Sequence, residues 1–173
     1  MPVKKRSPKN INAKARNIRM LLCDVDGVLT DGGLYYAPDG TELKRFDAQD
    51  GYGIRHAQKH GIAVGFISGR NIPAVEHRAR QLEITELHQG ERDKLPVCKD
   101  IMERNGLGAE EIAFIGDEIF DVPLIEFVGL GCAPHNARPE AKQSADYVTK
   151  SVGGHGAVRE VIDLILTAKN GKV

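Results

Sequence analysis

The chain has 173 residues, 41% of them hydrophobic, and its 24 Lys+Arg are balanced by 24 Asp+Glu. That length suits one domain able to bury a real core, and a net charge of zero argues against a dedicated nucleic-acid binder. No stretch reaches the roughly 18 uncharged apolar residues that a bilayer span requires and no signal-peptide apolar segment opens the chain, so the expectation is a cytoplasmic protein with neither nucleic acid nor membrane as partner.

Residues 1–17 read as a basic arm, with Lys4, Lys5, Arg6, Lys9, Lys14 and Arg16 and no acid. No aromatic residue interleaves these charges, so the arm reads as a solvated, partly disordered terminus. Residues 18–173 read as a single domain. Its first element is a strand over 19–25, inside the apolar run Ile18 to Val25. The run leads into Cys23-Asp24-Val25-Asp26-Gly27-Val28-Leu29-Thr30. Strand side chains alternate, which starts Asp24 and Asp26 on one face. Two buried like charges need a cation or a shared proton. A hard cation, Mg²⁺ foremost, prefers oxygen ligands and relieves the repulsion. Such a pair suits phosphoryl chemistry, with one carboxylate attacking phosphorus and the other handling the leaving group's proton.

A β-hairpin over 33–46 comes next. Leu34-Tyr35-Tyr36-Ala37 and Thr41–Phe46 flank the turn Pro38-Asp39-Gly40. Helices are predicted over 51–60, 71–82, 92–105, 119–127 and 155–169, and further strands over 62–67, 84–88, 112–115, 129–132 and 147–149. Three segments sit at informative places in that series. Ile67-Ser68-Gly69-Arg70 follows one strand, Asp93-Lys94 opens a helix, and Gly116-Asp117-Glu118-Ile119-Phe120-Asp121 follows another strand. Alternating strands and helices imply an α/β fold with a doubly wound, mostly parallel sheet covered on both faces. Such sheets bind ligands at the carboxyl ends of their strands, where these groups can converge. Cys23, Cys98 and Cys132 are too far apart for a metal motif and odd in number, and Cys23 and Cys132 read as core thiols. His56 and His60 stand one helical turn apart without a third ligand nearby and read as surface residues.

The ordered acid, hydroxyl, lysine and acid segments resemble the four motifs of the haloacid dehalogenase-like phosphatases, over nearly everything from Met20 to Leu166. Asp24-Val-Asp-Gly-Val-Leu-Thr-Asp-Gly32, Asp50-Gly-Tyr-Gly-Ile54, Ile67-Ser-Gly-Arg70 and Gly153-Gly-His-Gly-Ala-Val-Arg-Glu160 are similar to the capless sugar-acid branch. The resemblance implies a Rossmann-like core with a projecting hairpin and no cap domain. It makes Asp24 the nucleophile, Asp26 the acid and base, and Ser68 and Lys94 the phosphate and charge partners. Gly27, Gly69 and Arg70 would bind substrate. Mg²⁺ would be held by Asp24, the Asp26 carbonyl and Asp117, with Asp121 orienting either a metal-bound water or Lys94. Ser68 also suits a helix N-cap. Glu118 replaces a commoner aspartate, a mild change if it holds only water and a larger one if it touches metal.

Thr30 and Ser68 are 38 positions apart and Ser68 and Lys94 are 26 apart, which leaves no room for a cap in either interval. The site must still exclude water. The resemblance implies homotetramers built through the hairpin, with Tyr35, Tyr36, Leu43 and Phe46 as contact surface. Arg70 can hold a carboxylate with paired hydrogen bonds. It favours an eight-carbon sugar-acid phosphate of lipopolysaccharide synthesis over a nine-carbon sialic-type one, where the resemblance implies a glutamate. A phospho-accepting receiver module and a noncatalytic scaffold are the readings from other classes. The motif order runs against the first and the intact motif set against the second.

Overall fold

The computed structural model describes residues 8–170, with side chains from Ile11 onward. Its elements in chain order are α1 (Pro8–Asn17), β1 (Met20–Cys23), β2 (Tyr35–Tyr36), β3 (Glu42–Leu43), α2 (Ala48–Lys59), β4 (Ala63–Ser68), α3 (Pro73–Gln81) and β5 (Glu86–Gln89). They continue with α4 (Lys94–Asn105), β6 (Ile112–Ile115), α5 (Val122–Phe127), β7 (Leu130–Ala133), α6 (Pro139–Ser144), β8 (Tyr147–Val148) and α7 (Ala157–Asn170). Six strands form one parallel sheet in the order β5-β4-β1-β6-β7-β8.

Side-chain alternation explains why both faces are covered. Leu21 and Cys23 of β1, Val64 and Phe66 of β4, and Ala113 and Ile115 of β6 point into one core with α2, α3 and α7. Met20, Leu22, Ile67, Ile112 and Phe114 point into the other, with α4, α5 and α6. A strand apolar at every position is the mark of a parallel sheet buried on both sides. Fully burying each such side chain stabilises by about 1.5–3 kcal/mol. From β1 the chain steps outward to β4 and β5, then returns across the sheet to β6, β7 and β8. The crevice between the carboxyl ends of β1 and β6 is therefore the topological switch point, the place where open α/β sheets bind ligands.

The expected strands and helices recur with shifted ends, and the differences have physical causes. Helix α2 starts three residues early because Asp47 caps it, accepting from Gln49 N at 2.6 Å. The predicted helix 119–127 divides into a 3-10 turn over Ile119–Asp121 and α5. Its Asp121 side chain turns back to the Asp117 and Glu118 amides. Helix α6 spans only six residues, too few for periodicity to show. The basic arm departs furthest from its expectation. Residues 8–17 form α1, which leaves Ala15 fully buried. Its Lys14 pairs with Asp146 at 2.7 Å, and its Arg16 donates to the Ala168 carbonyl of α7 at 2.9 Å. Lys4, Lys5 and Arg6 lie outside the described residues, as does the Lys9 side chain.

The hairpin is shorter than predicted, with two residues per strand paired Tyr35 to Leu43 and Tyr36 to Glu42. Pro38 and Asp39 make its turn, closed by Gly40 N to Ala37 O at 2.9 Å, with Gly40 at φ +85°. A Thr30–Phe46 bridge ties its base to the loop after β1. Phe46 is a correction to the expected contact surface. It packs against the core, with the Arg78 guanidinium 5.7 Å above its ring. No cap domain stands between β1 and β4 or between β4 and α4.

Candidate active site

Asp24 is the first residue beyond β1, and its N–H donates to Ile115 O at the end of β6, 3.0 Å away. The switch point is thus stitched together by the backbone of Asp24. The Asp24 side chain is buried, and Oδ1 accepts from Val25 N at 2.7 Å and from Lys94 Nζ at 2.7 Å. Oδ2 is left as the oxygen available to a reacting group or cation. Lys94, the first residue of α4, is fully buried and also donates to Asp121 Oδ1 at 2.7 Å. Burial opposes its charge, but Asp24 and Asp121 outweigh that and hold the ammonium above the ordinary lysine value. Of the two roles open to Asp121, this geometry favours orienting Lys94. Its other oxygen accepts from Asp117 N at 3.0 Å and Glu118 N at 3.1 Å.

Asp117 follows β6, with only Gly116 between. Carboxylate oxygens of Asp24, Asp117 and Asp121 lie within 4.8 Å of one another. Burial, then the Asp24 and Asp121 charges, push Asp117 well above the usual carboxylate range. Asp24 is also raised, by burial first, with Lys94 opposing. Asp117 Oδ1 is buried with no hydrogen-bond partner. An orphaned buried oxygen among like charges fits a hard divalent cation. Asp24 and Asp117 suit the ligand role; Asp121 has its oxygens occupied. Gly27 is required here, since a Cβ on it would stand 2.1 Å from Asp117 Oδ2 and its φ is +82°.

Ser68 ends β4, and its buried Oγ accepts from Arg70 N at 3.2 Å. It is not a helix N-cap: α3 starts at Pro73 behind Ile72, and the Ser68 hydroxyl instead shapes the Gly69-Arg70 turn. Asp24, Asp26, Gly27, Gly69, Arg70 and Asp117 share the lining of one cleft of about 250 Å³, so the residues singled out by sequence converge. Two roomier surface clefts, of about 370 Å³ beside Arg55 and Glu83 and about 470 Å³ beside Phe46 and His77, hold no carboxylate cluster. Glu118 lines the same cleft as Asp24 and Asp117, but its carboxylate turns onto Ile119 N at 3.2 Å. His56 and His60 meet edge to face with centroids 4.4 Å apart, and no third ligand joins them among the described residues. All three cysteines are buried and free.

Sequence reasoning missed Glu42, Lys44 and Phe120. Phe120 lines the cleft, its ring 5.3 Å from Lys94 Nζ. Lys44 reaches from the hairpin to Asp26 and, at 2.7 Å, to Glu42. Glu42 in turn grips Arg70 through two hydrogen bonds of 2.8 and 2.6 Å. The alternation of Glu42, Leu43 and Lys44 was a usable signal, because residues two apart share one face of a strand. The glycine-rich segment before α7 lies against the first carboxylate loop. Gly154 N donates to Val28 O at 2.9 Å, and Asn136 Oδ1 accepts from Gly153 N at 2.9 Å.

A model of the haloacid dehalogenase-like hydrolases matches residues 84–162. The 3-deoxy-D-manno-octulosonate 8-phosphate phosphatase of Escherichia coli is 48% identical over 160 residues, 92% of this chain and 85% of that protein. The enzyme of the same name from Yersinia pestis is 46% identical over 91% of this chain and 84% of its own length. A structure of the Moraxella catarrhalis phosphatase, in complex with magnesium ion, phosphate ion and KDO, superposes with a TM-score of 0.93. It is 37% identical, covering 95% of this chain and 94% of that one.

Proposed function

The chain belongs to the haloacid dehalogenase-like hydrolases, among the 3-deoxy-D-manno-octulosonate 8-phosphate phosphatases, and on that premise we propose that it hydrolyses this eight-carbon sugar-acid phosphate to the free sugar acid and inorganic phosphate. One observation carries the chemistry. Buried Asp24 stands beside the unpartnered Asp117 oxygen, and the buried Lys94 ammonium is held by Asp24 and Asp121. Membership of the family sets aside the receiver-domain reading.

In the proposed reaction an Asp24 oxygen attacks phosphorus and the bond from phosphorus to the sugar oxygen breaks. Asp26 delivers a proton to the leaving alkoxide, then takes one from the water that attacks the aspartyl-phosphate and frees Asp24. Lys94 offsets charge on the nucleophile and the transferring group. The Ser68 hydroxyl and the Gly69 amide suit the phosphate oxygens, beside Gly27 in the first loop. The Asp24 and Asp117 carboxylates and the Asp26 carbonyl would hold Mg²⁺, which would supply countercharge to the phosphoryl group. Arg70 stands at the rim, with N–H groups beyond the two used by Glu42 to receive the sugar's carboxylate. The same reading makes the protein a cytoplasmic, single-domain homotetramer.

Phosphate release from a panel of substrates tests the proposal. With Mg²⁺ the enzyme should prefer 3-deoxy-D-manno-octulosonate 8-phosphate to nine-carbon sialic-type phosphates, hexose phosphates and p-nitrophenyl phosphate. EDTA should abolish turnover and Mg²⁺ restore it. An equal or higher rate on the nine-carbon or hexose phosphates would overturn the substrate, and full activity in metal-free buffer would overturn the metal.

A further inference from the structure

The hairpin carries an unbroken row of alternating charge into the cleft: Asp26, Lys44, Glu42, Arg70. Lys44 has 1% of its side chain exposed and Glu42 10%, although both stand on a two-stranded ribbon whose other face is open to solvent. Burying two charges on a surface ribbon is costly unless each is paired. Here each is paired twice, Lys44 with Asp26 and Glu42, and Glu42 with Lys44 and Arg70. Arg70 itself follows the Ser68-Gly69 turn and is 41% exposed in its side chain. On its own it would be a long, freely rotating group. The paired hydrogen bonds to Glu42 fix both the position and the plane of its guanidinium, because the carboxylate and the guanidinium must lie nearly coplanar.

Resting on the sugar-acid reading above, we infer that Glu42 is the positioning residue that aims Arg70 at the substrate carboxylate, so that the hairpin sets substrate choice. Glu42 does not touch the substrate. It acts by holding one edge of the guanidinium, and Lys44 anchors it against the carboxylate that moves the proton. A pre-aimed arginine loses less rotamer freedom on binding. Its loss should therefore weaken binding of a substrate with a carboxylate more than it slows the chemical step.

The test compares wild type, Glu42→Gln, Arg70→Ala and the double variant with the sugar-acid phosphate and with p-nitrophenyl phosphate, which has no carboxylate. Glu42→Gln keeps the shape but removes the charge and the paired acceptance. Its KM for the sugar-acid phosphate should rise about tenfold, the equivalent of one charge-assisted contact, with kcat within about threefold and a clearly smaller loss on p-nitrophenyl phosphate. The double variant should be no worse than Arg70→Ala, since Glu42 acts only through Arg70. Multiplying losses, a kcat loss exceeding the KM change, or equal losses on both substrates would overturn the inference. So would a lower KM, which would make Glu42 a competitor for Arg70. Wild-type enzyme that turns over p-nitrophenyl phosphate but not the sugar-acid phosphate would overturn the function proposed above and this inference with it; wild type active on both isolates the fate of Glu42.

Discussion

An amide at position 24 keeps the shape of the side chain but cannot attack phosphorus. Asp24→Asn should therefore abolish phosphate release while keeping the fold, because Asp121 still pairs with the buried Lys94. Asp26→Asn should slow turnover by about 10²–10⁴, the usual loss for a proton-transfer group. Near-normal turnover by the Asp24→Asn protein would refute the covalent route. Asp50 offers a test of stability rather than chemistry. It is buried on α2 and accepts from Arg159 N at 2.8 Å and Gly156 N at 3.4 Å, securing the start of α7. Burial raises its carboxyl to about 6 despite those hydrogen bonds. The folded state thus binds the proton more tightly than the unfolded chain. The stabilisation this gives is full below the unfolded value of 3.8 and is lost as pH rises through about 6. Urea unfolding at pH 5 and pH 7.5 should show wild type losing stability relative to Asp50→Asn on going to the higher pH. A constant difference would show that Asp50 does not titrate across that window. At this scale Asp24, Asp26, Ser68, Lys94 and Asp117 were legible, since each lies at a strand end or helix start that the apolar pattern marks. Glu42 and Lys44 were legible only as two charges sharing one strand face; their partners Asp26 and Arg70 are brought near only by folding.

Between elements, the glycine-rich segment before α7 sits tightly against the loop after β1. A Cβ on Gly153 would stand 1.7 Å from Gly27 O, a backbone atom that cannot rotate away. Gly153→Ala should therefore push the Gly27 loop off Asp117, costing about 1–3 kcal/mol as overpacking does. Activity should fall too, although residue 153 does not line the cleft. Thermal melting and phosphate release, measured together, check both parts, and an unchanged rate would mean the loop absorbs the methyl group elsewhere. The sheet was readable because every central strand is apolar on both faces and is punctuated by polar or glycine residues. Helix α1 was not, because its stability is tertiary. Lys169 caps the Arg16 carbonyl at 2.7 Å, Arg16 caps that of Ala168, and Lys14 reaches Asp146. A run of basic residues gives no hint of those acceptors, which lie more than a hundred positions away.

For the molecule as a whole the open question is what closes the cleft. No cap domain does so, and the two-residue strands of the hairpin are too short to be stable alone in water. The ribbon is held from inside by Lys44, Glu42 and Phe46, which leaves the cross-strand pair Tyr35 and Leu43 on the other face. Tyr35 is 44% exposed and Leu43 52%. Ile119 and Phe120 extend the apolar surface on the opposite rim. Exposed apolar side chains beside a site that must exclude water are the pattern of an interface, and symmetric closure would cover them in every copy alike. Deleting the hairpin would not test this cleanly, because it also removes Glu42 and Lys44 from the site. The substitution Leu43→Glu leaves both in place and alters only an outward-facing group. In a monomer such a change shifts stability by about 0.5 kcal/mol or less; in a tetramer it buries uncompensated charge. Sedimentation of the native protein should give four times the 18.9 kDa chain mass, and the Leu43→Glu variant should give smaller species with an unchanged far-ultraviolet spectrum. A native monomer at concentrations where turnover is full would rule the tetramer out and leave the substrate itself as the only cover for the cleft.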